Sequence, residues 1–302
     1  MVVANFTLVN QATTTMDTIL VPVDFSANAG HAAEYAYYLA KQLKADMVLC
    51  NAVLAPSQIP QAGVIVWPIE EYNTLLEGSN DELTFLKQKL EKADTSTDFR
   101  PEISFLSEAG YLPDVVNGLA KDMQVDMTVM GTHCAGGLST FIFGNHSRKM
   151  IDATTGPLMI VPQTALLQPV RKIAFATDLT KIADDEEAVF ALIPFARALN
   201  AEILITYVYN GGDGFGGFQD QIDQFMTVLS NKANYPKIYY RIVTDSNTEA
   251  GLDWLCHHGQ IDILAVVHRQ HNFFDNLIKG SHTKKLSEVV EIPLLVLPEM
   301  RR

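Results

Sequence analysis

The sequence predicts an α/β chain of two repeated doubly wound domains, each a five-stranded parallel sheet flanked by helices. Three observations carry that expectation. Apolar runs of strand length alternate with segments of helical period, the mark of βαβ units around a parallel sheet buried on both faces. The same blocks recur in the same order in both halves of the chain. And 302 residues, 48% hydrophobic and 19% charged, suit two cores of about 150 residues each.

The duplication is read block by block. TILVPVDFS (18–26) returns as KIAFATDLT (172–180), setting Asp24 opposite Asp178 at an offset of 154. ADMVLCNAV (45–53) returns as AEILITYVY (201–209), at 156. VDMTVMGTH (125–133) matches IDILAVVHR (261–269), and GPLMIVP (156–162) matches IPLLVLP (292–298), both at 136. The fall in offset places a shortening between the second and third strands of the second copy. The boundary then falls in QTALLQPV (163–170), giving domain 1 as 16–163 and domain 2 as 170–299. Residues 1–15 lack a basic segment and a sustained apolar run, so they read as a disordered lead-in and not a signal peptide.

In the first copy the strands are ILVPV, MVLCNAV, EISFLS, MTVMG and LMIVP. Ser26 is placed to cap a helix in which Ala32, Ala36, Leu39, Ala40 and Leu43 share a face. Residues 55–68 hold three prolines and a glycine and predict a loop. A helix with Tyr72, Leu76, Leu83, Leu86 and Leu90 on one stripe follows, bent or broken at Gly78-Ser79. In the second copy a glycine-rich connection (Gly211, Gly212, Gly214, Gly216, Gly217) replaces the proline loop, and Pro194 predicts a kink.

A net charge of −13 argues against a nucleic-acid partner, which needs clustered Lys and Arg. Small anions remain open to it, because helix ends bind phosphate without a basic surface. Cys50, Cys134 and Cys256, odd in number and far apart, predict no disulfide framework and a reducing, cytoplasmic setting. No apolar run reaches the roughly 18 residues of a membrane span.

Ligands of doubly wound sheets sit beyond the carboxyl ends of the strands, where strand order reverses. Asp24 ends the first strand there. MGTHCAGGLSTFIFGNHS (130–147) leaves the fourth strand at Gly131, which would let backbone approach a phosphate. It reaches a helix start at Gly144-Asn145, where free N–H groups favour anions. No Gly-x-Gly-x-x-Gly follows the first strand and no Gly-x-x-x-x-Gly-Lys-Ser/Thr is present, which disfavours a standard dinucleotide fold and removes the P-loop fold.

VPVDFS, Gly110 and Pro113 after the third strand, MGTH, GLSTFIFGNHSRKM and the closing PLMIVP together resemble the universal stress proteins in their tandem two-domain form. The resemblance spans nearly all of residues 16–298. It implies a Rossmann-like, adenine nucleotide alpha hydrolase-like fold, and an ATP site with the pattern Gly-x-x-Gly-(nine residues)-Gly-Ser/Thr. Here the pattern falls on Gly131, Cys134, Gly144 and Asn145, with spacing intact and two of four identities changed. A cysteine forced into a left-handed backbone at 134 costs about 1–2 kcal/mol, whereas Asn145 caps a helix as well as serine does. The resemblance assigns adenosine contacts to Pro22, Val23, Asp24, Ala52 and Met130, and phosphate contacts to Gly131, Cys134, Gly144, Asn145 and His146. Asp24 and Asp178 are equally read as plain turn residues, and Arg148 and Lys149 as exposed surface or as neighbours of an anion.

In the second copy His268 and His271 are set where the first has Gly131 and Cys134, and the interval to the glycine is one residue shorter. That site reads as degenerate, with Asp178, Val208, Gly280 and Ser281 as its remaining candidates. His268 and His271, with His282 and the pair His257-His258, predict no metal site, since no third ligand is fixed. Cys134 beside His133 and His146 has no orienting third residue for nucleophilic catalysis.

The function expected is a stress-response sensor or regulator that binds ATP or another adenine nucleotide in domain 1, with or without Mg²⁺, and without fast catalysis. It would act on a protein partner that the sequence does not name. The alternatives are a nucleotide-free scaffold with both sites decayed, and a weak ATPase. PLMIVP and PLLVLP, left as open apolar edges, would invite pairing. They are expected to close an intramolecular pseudo-dimer with help from Trp254, with homodimer formation left open.

Overall fold

A computed structural model of the chain describes residues 16–54, 69–132, 145–211, 215–269 and 292–299. In the first repeat the order is β1 (Thr18–Pro22), α1 (Ala27–Leu43), β2 (Asp46–Val53), α2 (Ile69–Ala93), β3 (Ile103–Ala109), α3 (Leu112–Asp122), β4 (Met127–Thr132), α4 (Asn145–Ala153) and β5 (Leu158–Pro162). The second repeat runs β6 (Lys172–Ala176), α5 (Ile182–Ala198), β7 (Glu202–Tyr209), α6 (Phe215–Lys232), β8 (Ile238–Thr244), α7 (Thr248–His258), β9 (Ile263–His268) and β10 (Leu294–Pro298).

The strands form one ten-stranded sheet in the order β3-β2-β1-β4-β5-β10-β9-β6-β7-β8. Pairing is parallel within each repeat. Between β5 and β10 it is antiparallel, with Leu295 opposite Met159. The two apolar closing strands therefore cover each other, as the resemblance to tandem universal stress proteins implies, and each repeat keeps its own reversal of strand order. Trp254 takes no part in that seam. It lies on α7, which packs over β7 and β8, is 44% exposed and stacks on His258.

Both faces of the sheet are covered, which explains why the strands read as unbroken apolar runs. On one face Ile19, Val21, Leu49 and Val129 pack against Ala32, Ala36, Leu39 and Ala40 of α1. On the other Leu20, Val48, Cys50 and Met130 pack against Val115, Val116, Met150 and Ile151 of α3 and α4. Burial pushes the Cys50 thiol up to about 12, which makes it a core residue and not a nucleophile. Ser26 caps α1 by accepting from the Ala29 N–H.

Two expectations are corrected. The helix at Gly78-Ser79 is unbroken: α2 runs through both residues, because Ser79 is buried with partners on β2 and β3. The helix α5 carries Pro194, where a kink was expected, in its interior and runs on to Ala198, with Leu192, Ile193, Phe195 and Ala196 buried around the proline. The glycine-rich connection is shorter than read, since α6 starts at Phe215 and takes in Gly216 and Gly217. The proline-bearing stretch 55–68 lies outside the described residues.

Asp94 ties the end of α2 to α1. Its carboxylate accepts from Lys41 Nζ at 2.8 Å, Tyr37 Oη at 2.9 Å and the Ser96 N–H at 2.9 Å. Lys41 first, then Ser96, hold this carboxyl well below the usual carboxylate range. Its folded pKa is below the unfolded one, so its stabilisation is present at neutral pH and is lost as pH falls below about 4. Asp94→Asn is accordingly expected to lower the thermal midpoint by a few degrees at neutral pH, with the gap to the parent closing towards pH 3. Thermal unfolding at the two pH values checks it.

Candidate functional site

In the first repeat strand order reverses between β1 and β4. The helix α1 leaves β1 for one face and α4 follows β4 on the other, so a crevice opens beyond the two carboxyl ends. Pro22, Val23, Asp24, Met130 and Gly131 come to this point, with Ala52 next door on β2.

At the end of β1, the Val23 N–H donates to the Cys50 carbonyl at 2.8 Å, and its own carbonyl accepts from Asn51 Nδ2 at 2.7 Å. Both backbone groups of Val23 are thus already engaged by the protein. Asp24 is exposed, and its Oδ1 accepts from the Ser26 N–H at 3.0 Å. Phe25 between them has φ 60°, a left-handed conformation that non-glycine residues adopt at a cost. The second repeat builds the same turn: Asp178 Oδ1 accepts from the Thr180 N–H at 3.0 Å, and Leu179 has φ 55°. The turn reading of both aspartates therefore holds in the geometry.

Gly131 is required by packing in its own right. A Cβ built there would lie 2.6 Å from the Asn28 carbonyl oxygen and 3.1 Å from the Ala29 nitrogen. The first turn of α1 approaches Gly131 closely. The Met130 side chain is buried in the layer with Cys50 and Ile160, so it can offer the crevice backbone only. Cys134, Gly144 and His133 lie outside the described residues. Asn145 opens α4, and both it and His146 are exposed in the first turn, where helix N–H groups lack helical partners. Lys149 sets its Nζ 5.2 Å from the centroid of the Tyr111 ring, a contact that neither sequence reading foresaw.

The sheet register corrects the alignment of the second repeat. Ile173 pairs with Ile263 as Ile19 pairs with Met127. Val267 and His268 pair with Leu297 and Pro298 as Gly131 and Thr132 pair with Val161 and Pro162. Val267, not His268, therefore stands at the Gly131 position. Counting on, Gln270 replaces Cys134, and Gly280 and Ser281 replace Gly144 and Asn145 at unchanged spacing. His271 does not take the place of Cys134. Val267 has the room that Gly131 lacks because α5 begins four residues after Asp178, whereas α1 begins three after Asp24.

Gln270, His271, Gly280, Ser281 and His282 lie outside the described residues. Val208 packs its side chain against Gly251 of α7 and so belongs to the core. His268 sets Nε2 3.6 Å from Asp152 Oδ1 of α4. His257 and His258 donate to the carbonyls one turn back, those of Asp253 and Trp254. Among the described residues no group of three or more His, Cys, Asp or Glu could hold a metal ion.

Sequence reasoning missed the main polar feature of the second crevice. Arg269 Nη2 donates to Asp185 Oδ1 at 2.6 Å, with the two residues 4% and 1% exposed. The Thr177 hydroxyl donates to the other Asp185 oxygen and itself accepts from the Leu179 N–H. This ion pair ties the ends of β6 and β9 to α5. Burial pushes the Asp185 carboxyl up, with Thr177 and Arg269 pulling the other way. The available signal was an acid at helical spacing from Ala188, Val189 and Leu192 on a face otherwise apolar.

The sequence profile of the universal stress protein family matches residues 15–162. Residues 15–162, the first repeat, belong to the universal stress protein family. Likeness of fold extends over both repeats. A universal stress protein from Archaeoglobus fulgidus DSM 4304 superposes with a TM-score of 0.69 at 14% identity, covering 94% of this chain and 99% of that one. A functionally unknown protein from Pseudomonas aeruginosa PAO1 gives 0.61 at 10% identity, covering 95% and 94%. A third, from Pseudomonas aeruginosa UCBPP-PA14, gives 0.56 at 10% identity, covering 95% and 94%. No curated protein matches this chain in sequence. Among the described residues no helix is long and apolar enough to cross a membrane.

Proposed function

We propose that this chain binds ATP or another adenine nucleotide in its first repeat, and acts as a cytoplasmic sensor or regulator, not a catalyst. The observation that carries the reading is the span of the family's phosphate pattern. It starts on Gly131 at the end of β4 and ends on Asn145, the first residue of α4, so its two ends meet the crevice and a helix N-terminus. In this reading Pro22, Val23, Asp24, Ala52 and Met130 surround the adenosine. Gly131, Cys134, Gly144, Asn145 and His146 surround the phosphates, with Mg²⁺ as an optional companion. With Val23 engaged on both sides, Asp24 is the polar side chain left for the ribose.

The second repeat (170–299) is read as a structural partner of the first (16–163), because Val267 and the Arg269–Asp185 pair take up its crevice. Calorimetric titration with ATP tests the assignment. The parent is expected to release heat, Asp24→Ala to bind about tenfold more weakly through loss of one hydrogen bond, and Gly144→Asp to lose binding by charge repulsion with the phosphates. A parent with neither heat nor thermal shift at millimolar ATP would leave the nucleotide-free scaffold.

A further inference from the structure

We infer that Asn51 is a positioning residue for the first crevice, held by serine hydroxyls whose strand position is filled by an isoleucine in the second repeat. Its part in ligand binding rests on the nucleotide reading above; its part in shaping the turn does not.

Asn51 Nδ2 lies 2.7 Å from the Val23 carbonyl oxygen. A carbonyl only accepts, so the amide can face one way, with its own oxygen towards α2. There the Ser79 hydroxyl donates to Asn51 Oδ1 at 3.0 Å. The Ser107 hydroxyl on β3 lies 2.6 Å from that of Ser79. Ser107 also donates to Asn80 Oδ1 at 3.0 Å. Three elements, α2, β2 and β3, thus converge on one backbone carbonyl.

That carbonyl is well placed to matter. It immediately precedes Asp24 and the left-handed Phe25, and the Val23 N–H is already fixed by Cys50. With both peptide planes at Val23 held, the direction in which Asp24 leaves the strand is held as well. Part-buried polar chains of this kind favour one arrangement of the groups they join.

The duplication supplies an internal control. Asn51 and Ser107 are in register on β2 and β3; Tyr207 and Ile242 stand at the same places on β7 and β8. Where the first repeat has Val23, the second has Thr177, whose own hydroxyl accepts from the Leu179 N–H. The same left-handed turn is therefore built with other residues at the Asn51 and Ser107 places, so the turn itself does not require the amide. Asn51 and its serine partners occur in the repeat whose crevice is not crossed by the Arg269–Asp185 pair.

The test uses the full chain with Asn51→Ala, Asn51→Asp (shape kept, donor lost) and Ser79→Ala. Without ligand, amide hydrogen exchange of Ser26, whose N–H is held by Asp24, is expected to quicken about tenfold in both Asn51 variants and less in Ser79→Ala. Thr180 and the interior of α1 should be unchanged. Unchanged exchange at Ser26, or a uniform increase across both repeats, overturns the positioning role. Should the Asn51 variants not fold, Ser79→Ala decides by the same criterion. In calorimetry both Asn51 variants are expected to bind ATP about tenfold more weakly than the parent; equal affinity overturns the ligand role. A parent that takes up no ATP counts against the nucleotide reading alone, and exchange at Ser26 still decides the rest.

Discussion

Gly131→Ala is expected to destabilise the first repeat by about 2–3 kcal/mol, the upper part of the range for overpacking. The added methyl would sit 2.6 Å from the Asn28 carbonyl oxygen, and a backbone atom in a capped helix cannot swing aside as a side-chain tip would. The first turn of α1 must therefore move off β4, which strains the Ser26 cap and the Asp24 turn with it. Gly131→Val should cost more. Val267→Ala at the matched place in the second repeat should cost about 1–2 kcal/mol by a different route, a cavity instead of a clash. Thermal unfolding of the three variants checks this; a Gly131→Ala protein as stable as its parent would mean that α1 does not press on β4.

Arg269→Ala is expected to cost about 3–5 kcal/mol, the usual consequence of stripping one partner from a buried ion pair. It leaves the Asp185 carboxylate, 1% exposed, with the Thr177 hydroxyl alone. Burial raises the folded pKa of that carboxyl above its unfolded value, and removing the guanidinium raises it further. Taking up a proton then favours the folded form, so the loss should be largest at high pH and shrink as pH falls towards the ordinary carboxylate range, about 4. The double change Asp185→Leu with Arg269→Met removes both charges and should recover most of the stability. Unfolding midpoints across that pH range decide it; a neutral or pH-independent Arg269→Ala would contradict the pair's role.

Much of the fold was legible because buried parallel strands are written in apolar residues alone. Four strands of each repeat could be matched by their offset. The third strand of the second repeat, Ile238–Thr244, was not, because the shortened connection before it breaks the offset, and its exposed Tyr239 and Tyr240 mask the apolar pattern. The closing of the two halves through β5 and β10 was implied by the resemblance to tandem universal stress proteins. The break offered at Gly78-Ser79 failed because local propensity says nothing of the partners that Ser79 meets on β2 and β3.

The site was legible only where chemistry stays local. Asp24 and the helix start at Asn145 were found in single stretches of sequence. The alignment of His268 with Gly131 was wrong by one residue: the 136-residue offset of the fourth strands already sets Val267 there, and strand pairing fixes that register. Asn51, Ser79 and Ser107 are 28 residues apart in sequence from one to the next, and Arg269 is 84 from Asp185. No periodicity links residues at such distances. Gly131 was singled out for a ligand, while its close contact with Asn28 leaves no mark in the sequence.

The central claim is that one of two duplicated crevices still takes an adenine nucleotide. Counting bound ATP per chain by equilibrium dialysis tests it most directly. One ATP per chain is expected, lost in Gly144→Asp and kept in Ser281→Asp. Two per chain, or none, would contradict it.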